Sequence, residues 1–322
     1  SLASVNLRPD LGRLTMLDGS SLMGTALTSL TLPDSVTSIG QWSLASNTSL
    51  TQLHLGAGLS SIGSGALSGD TALATVTVNP ANASFSEVDG VLYTKDGASL
   101  ILYPASRAGN EYEVPAGTTE IGIQAFDRAS SLTRVILPEG LTTIGYSAFN
   151  GCTNLVDMTF PESLEVVRGI QNTGLDTVIL GSKVRELFMP TRENRAPRHL
   201  IVRGGINGEY YTDGEPSNGR IETAFFGEGM TRVDVRSKGP RIIVLPSTVT
   251  TFQLDPFSSE GYKSDAQVYV AAAEGSPAWE VAKAELVKEG IDLSHLHPYV
   301  PASISLSGTG IDEAGDGVRW SG

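Results

Sequence analysis

One cysteine in 322 residues, Cys152, excludes an internal disulfide, so the fold must be held by packing alone. Positive charge is also scarce: 22 Lys and Arg face 35 Asp and Glu, for a net charge of −13. That balance excludes a nucleic-acid partner, which needs clustered basic side chains, and argues against an anionic membrane surface. No run of 18 apolar residues occurs, so no segment is expected to insert in a membrane. Missing too are a Gly-x-Gly-x-x-Gly between strand and helix, a phosphate-binding P-loop and a Gly-x-Ser-x-Gly elbow. The expectation is a protein without catalytic residues, cofactor or metal. No leader is visible at Ser1, and a signal peptide removed on export is the reading adopted.

What the chain does have is a period. Leu27, Leu50 and Leu73 stand 23 apart, and Leu132 and Leu155 repeat the interval. Each opens the phrase Leu-x-x-Φ-x-Φ, with Φ apolar, as in Leu27-Thr28-Ser29-Leu30-Thr31-Leu32. A repeat of this length is a unit that cannot bury its apolar face alone and must stack on its neighbours. Alternation in the phrase predicts a short strand with Leu30, Leu32, Leu53, Leu55, Val76, Val78, Val135 and Leu137 pointing inward. A turn follows, as in Pro33-Asp34-Ser35, then Val36-Thr37-Ser38-Ile39-Gly40 and a bend ending in Ser43-Leu44. The bend is read as one tight helical turn. Stacking predicts two apolar rows, Ile39-Ile62-Ile121-Ile144 and Leu44-Leu67-Phe126-Phe149.

The stretch Leu137-Pro138-Glu139-Gly140-Leu141-Thr142-Thr143-Ile144-Gly145-Tyr146-Ser147-Ala148-Phe149-Asn150-Gly151-Cys152-Thr153-Asn154-Leu155 resembles the BspA-like leucine-rich-repeat family. The resemblance covers about residues 27–180 well. It implies a leucine-rich-repeat solenoid, a right-handed horseshoe-like superhelix rich in short parallel strands, with an inserted β-hairpin and a C-terminal capping helix. It also implies a bacterial surface or secreted protein, with adhesion as one role. Asp89 to Pro104 reads independently as a hairpin with Asp96-Gly97 at its turn, which accounts for the 59 residues between Leu73 and Leu132.

Along the chain, residues 1–300 are expected to form one solenoid domain. Residues 1–26 make an irregular first repeat or cap, 27–78 are repeats, 79–114 hold the hairpin, and 115–265 are repeats that degenerate after 156. A loop insertion, or a second hairpin, is placed at 204–230 around Tyr210 and Tyr211. Residues 266–300 form the C-terminal cap: Val268-Tyr269-Val270 as a final strand, then a helix over 277–289 with Ser276 as N-cap and Pro277 first. Trp279, Ala282 and Leu286 share its inner face, and Glu280–Lys283 and Glu285–Lys288 are read as solvated pairs. Residues 301–322 read as a tail or linker.

Few residues invite chemistry. Cys152 fits a small buried turn residue better than a nucleophile. His295 and His297 lack a third ligand at metal spacing and read as a solvated pair, and Asp312, Glu313 and Asp316 lack the spacing of a calcium loop. Outward strand positions are more informative: Gln52, His54, Thr75, Thr77, Arg134, Asp157 and Thr159 form two rows on one sheet face, with Arg134 expected to pair with Asp157. Tyr210 and Tyr211 are the best exposed aromatic pair, whereas Tyr93, Tyr103 and Tyr112 are expected to pack on the solenoid. These nine residues are the candidate binding surface. The reading is a monomeric, non-enzymatic extracellular or cell-surface protein that binds a protein or glycan. A spacer module of a larger surface protein is the alternative, and an enzyme site built on Asp213, Glu215 and Glu222 is a minor one.

Overall fold

The computed structural model describes residues 4–6, 14–190, 197–204, 209–213, 221–236, 240–255 and 266–299. Across them the chain winds as a β-solenoid in which each coil lays one short strand on each of two faces. On the first face, Ser4–Asn6, Ser29–Thr31, Gln52–Leu55 and Thr75–Val78 pair in parallel. On the second, Met16–Leu17, Ser38–Ile39 and Ser61–Ile62 do the same. The register is one repeat per step, so Leu30 lies on Leu53 and Leu53 on Val76. Their inward side chains are buried to the last few per cent. The Thr and Ser positions beside the strands have a matching role. Thr51 Oγ1 donates to the Thr28 carbonyl at 2.9 Å, Ser60 Oγ to Thr37 at 3.1 Å and Thr142 Oγ1 to Thr119 at 3.1 Å. Each hydroxyl thereby ties its coil to the one before.

The bend expected to be a helical turn is built differently. Gly40 to Ser46 makes successive tight turns with positive φ at Trp42 and Ser46; Gln124 and Arg128, and then Ser147 and Gly151, repeat the two positions. Non-glycine residues pay about 1–2 kcal/mol to hold this conformation. The return is hydrogen bonding between coils: Leu44 N–H donates to the Ala66 carbonyl, Phe126 N–H to Ala148 and Phe149 N–H to Gly169. A helical turn would spend these donors within one coil.

The hairpin changes the architecture more than an insertion would. It is a three-stranded meander, Phe85–Val88, Val91–Thr94 and Ser99–Leu102. Besides the expected turn at Asp96-Gly97 there is one at Asp89-Gly90, where φ of +51° and +77° suits a two-residue hairpin turn. Ser99–Leu102 then pairs in parallel with Glu120–Ile121, so the meander supplies the first strand of a new ladder. Both faces of the meander are buried. Phe85, Leu92 and Leu102 join the core of residues 17–76, and Val91, Tyr93 and Leu100 join the core that runs on to Leu296. The two predicted apolar rows are therefore each cut: Ile39 and Ile62 lie before the meander, Ile121 and Ile144 after it, with Leu100 as the neighbour of Ile121. In the other row Tyr103 stacks on Phe126 at 5.0 Å and Phe126 on Phe149 at 4.6 Å.

Beyond residue 156 the coils continue although the leucine spacing fails. Thr177, His199, Thr223, Ile242 and Gln267 are register partners, with steps of 22, 24, 19 and 25 residues. Loops absorb the variation and strands keep the register. The stretch 204–230 is accordingly not one loop or a hairpin. Glu209–Asp213 pairs in parallel with Glu186–Pro190, and Thr223–Phe226 sits between His199–Val202 and Ile242–Leu245.

At the end, helix Pro277–Lys288 starts where expected, its Trp279 N–H bonded to Ser276 Oγ. Its buried face is Ala278, Ala282, Glu285 and Leu286, with Trp279 half-buried. Glu285 is no solvated partner of Lys288. Its carboxylate accepts the Leu254 N–H at 2.8 Å as well as Lys288 Nζ at 3.1 Å. Val268–Val270 is not the final strand either, because Leu296–Pro298 pairs beyond it. Residues 301–322 lie outside the described residues.

Candidate functional site

The outward residues of the first face are placed in rows by the ladder register, which sets neighbouring side chains about 4.8 Å apart. Gln52 lies beside Thr75 and His54 beside Thr77, and His54 Nδ1 is 2.9 Å from Thr77 Oγ1. Arg134 and Asp157 are register partners and form the expected ion pair at 3.0 Å, with Ile136 and Thr159 beside them. These two groups belong to separate sheets. Thr75–Val78 ends one, Glu111–Glu113 begins the other, and a further break separates Asp157–Thr159 from Thr177–Leu180. The rows are thus interrupted, neutral before the meander and charged after it. The backbone of Tyr210 and Tyr211 lies on a ladder strand, in register with Leu187 and Phe188, and their side chains lie outside the described ones.

Cys152 is fully buried, donates through Sγ to the Phe126 carbonyl at 3.1 Å, and burial pushes its thiol up to about 12. A thiol so held is no nucleophile at neutral pH. His297 is not simply solvated: it stacks on Tyr269 at 4.8 Å and lies 2.7 Å from Gln267 Oε1, and His295 Nδ1 is 3.2 Å from the Ala266 carbonyl. Among the described residues no three His, Cys, Asp or Glu side chains gather in metal-binding geometry. Glu222 stands exposed just before Thr223–Phe226, Asp213 ends a ladder strand, and Glu215, Asp312, Glu313 and Asp316 lie outside the described residues. Tyr93, Tyr103 and Tyr112 are buried as expected. The Tyr93 and Tyr112 hydroxyls meet at 2.5 Å, and burial raises the pKa of all three.

A cleft at the corner beside the meander was not anticipated. It has a volume of about 300 Å³ and is lined by Thr71, Ala105, Ser106, Arg107, Arg128, Ser130, Ser131 and Gly151. Its origin is a short coil. Thirteen residues separate the register positions Ile121 and Arg134, but only eleven separate Leu100 and Glu111. The short coil omits part of the double turn. Where Ser46 N–H meets a backbone carbonyl of the next coil, Gly69 N–H instead meets the Asp127 carboxylate at 3.0 Å, reaching from one coil further on. Arg107 is held by the Asp89 carbonyl at 2.9 Å and lies over the Tyr112 and Tyr103 rings. Arg128 occupies the positive-φ slot that Ser46, Gly69 and Gly151 fill in other coils. Gly151 lets it lie flat, since a Cβ there would come 3.1 Å from Arg128 Cγ. One sequence signal was available: an arginine in a slot of Gly and Ser.

Asp70 lies behind this corner. Its Oδ1 accepts the Asn47 N–H at 2.8 Å, while Oδ2 is buried without a hydrogen-bond partner. Burial, with the Asp127 charge nearby, pushes its pKa up to about 8 against the pull of the Asn47 N–H.

The model of the BspA type leucine rich repeat region matches residues 1–88 and 106–187 in six copies, more than half of the chain. The unmatched gap contains the second and third strands of the meander. No curated protein sequence matches significantly. Among solved structures, a leucine rich cell surface protein from Faecalibacterium prausnitzii A2-165 is 22% identical with a TM-score of 0.51, over 76% of this chain and 58% of that one. The pneumococcal vaccine antigen PcpA is 21% identical with a TM-score of 0.56, over 90% of this chain and 72% of that one. At these identities the likeness is one of fold. The chain spans little over half the length of the first of these proteins.

Proposed function

Because the chain belongs to the BspA type leucine-rich-repeat family, we propose that it is a non-enzymatic binding protein of the bacterial surface or exterior, engaging a protein or glycan through its exposed strand rows and the features at its breaks. The observation that carries this reading is the register. The ladder holds Gln52, His54, Thr75 and Thr77 on one patch and Arg134, Asp157 and Thr159 on another, on backbones whose own hydrogen bonds are already taken up between coils. A rigid, regularly spaced array of polar side chains suits an extended or repetitive ligand. The relatives agree in kind, one being a cell surface protein and another a vaccine antigen. No described helix is long and apolar enough to cross a membrane.

A spacer role within a larger surface protein is the second reading. It is favoured by the hydroxyls flanking the strands, which turn to the chain's own carbonyls instead of outward. Binding of the folded chain to glycan arrays and to immobilised extracellular proteins separates the two. Specific binding weakened by substituting both Gln52 and Arg134 with Ala supports the binding role. Folded protein that retains nothing across both formats supports the spacer.

A further inference from the structure

We propose that the corner cleft beside the meander is a docking site for the anionic group of an acidic saccharide, a carboxylate or sulfate carried on one or two sugar rings. The proposal rests on the binding reading above and names its ligand chemistry. Two guanidinium groups line one cleft on a protein of net charge −13. One of them is fixed in place before any ligand arrives: Arg107 is held by the Asp89 carbonyl and by two aromatic faces, so little rotamer freedom is lost on binding.

The other, Arg128, is more than half exposed. Its nearest carboxylate, Asp127, is 3.9 Å away and already accepts from Ser68 Oγ, Gly69 N–H and Asn150 Nδ2. Arg128 also sits at φ +58°, a conformation that costs an arginine energy and that glycine would take freely. The Asp127 ion pair, at 3.9 Å, takes up one edge of the guanidinium and leaves the rest of the group exposed.

The rest of the lining specifies a sugar over a peptide. Thr71, Ser106, Ser130 and Ser131 supply hydroxyls, and Ala105 and Gly151 supply small walls. Ser106 Oγ donates to the Thr71 carbonyl and keeps its lone pairs for a ligand hydroxyl. No large apolar side chain lines the cleft to anchor a peptide residue, and about 300 Å³ is the lower end of ligand-pocket size, suited to a small ring system.

The decisive variant is Arg128→Gly, which removes the charge; relief of the backbone at φ +58° offsets loss of the Asp127 pair, and a melting curve checks that the variant is folded. Titration calorimetry of residues 1–322 would compare a glucuronate-containing oligosaccharide, a sulfated one, their neutral counterpart and an acidic peptide. Expected are binding of one or both acidic sugars, none of the neutral one, weakening with salt, and at least about tenfold weaker binding by Arg128→Gly. Comparison of the carboxylated and sulfated sugars identifies the anion. Acidic-sugar binding that Arg128→Gly leaves unchanged overturns the cleft assignment but not the binding role. So does binding of neutral glycans or proteins alone, and equal or tighter binding of the acidic peptide overturns the choice of a sugar. No binding of any ligand in these titrations, nor on arrays, overturns the functional reading as well.

Discussion

The coils before the meander and those after it share one register and are held together differently. Before it, the bend that follows the second-face strand packs aliphatic side chains, Leu44 and Leu67, and polar groups are buried beside it at Asn47 and Asp70. After it, the same bend holds an aromatic stack of Tyr103, Phe126 and Phe149, with Cys152 bonded to the Phe126 carbonyl. Ion pairs between coils are added: Arg134–Asp157, Arg168–Glu186, Arg185–Glu165, Arg198–Asp176 and Arg203–Glu162. The exposed pairs contribute little each, but the stacked rings add about 0.5–1.5 kcal/mol per pair beyond their burial. In a solenoid, stability is close to a sum of coil and interface terms. One repeat phrase thus encodes segments of unequal strength, with the first expected to open more readily.

The largest effect is expected from Phe149→Ala, which should cost ~3–5 kcal/mol because it leaves a cavity in the stack. Hydrogen exchange should show protection lost around 120–170 and kept over 27–76. Uniform loss along the chain would mean that the two segments fold as one. Next, Glu285→Ala should cost ~1–3 kcal/mol by leaving the Leu254 N–H buried and unpaired. Glu285→Gln should recover most of it in a denaturant titration, and equal losses in both would point to the charge instead of the acceptor.

In the weaker segment the test is Asp70→Asn. The folded pKa of about 8 lies above the unfolded value of 3.8, so the folded state holds the proton more tightly. Its contribution is complete below about pH 4 and is lost as pH rises towards 8. Asp70→Asn, which cannot ionise, should therefore gain stability relative to the parent as pH rises from about 4 to 8, and flatten the melting temperature over that window. Parallel pH profiles for the two proteins would sink the assignment. The smallest effect is expected from Arg134→Ala, under about 1 kcal/mol and smaller still at high salt. A larger loss, insensitive to salt, would show the pair to be structural.

Much of this was legible. The 23-residue interval placed the first-face strands over 29–78 and 134–159, their inward leucines and the Arg134–Asp157 pair, and the Asp-Gly dipeptide marked the turn at Asp96-Gly97. The second-face strands were not legible, because two residues such as Ser38–Ile39 are too short to show alternation. The paired turns carry no signature where Trp42, Gln124 or Ser147 takes the place of glycine. Past residue 156 spacing misled, since loops of changing length hide a constant register. Glu285 looked like a surface charge because i, i+3 spacing to Lys288 says nothing of what lies beneath the helix. The cleft comes from a coil two residues short, visible only once both ladders were in place.

The Glu285 contact has a consequence for the edge of a ladder. A parallel ladder offers the same pattern of donors and acceptors at each step, so nothing in the repeat itself limits how many strands can be added, and an open edge is a template for another chain. At the Thr251–Asp255 edge the Leu254 donor is taken by a carboxylate from a helix lying across it. One acidic side chain thus takes up a donor that a further parallel strand would need, and the helix covers the ladder at that point.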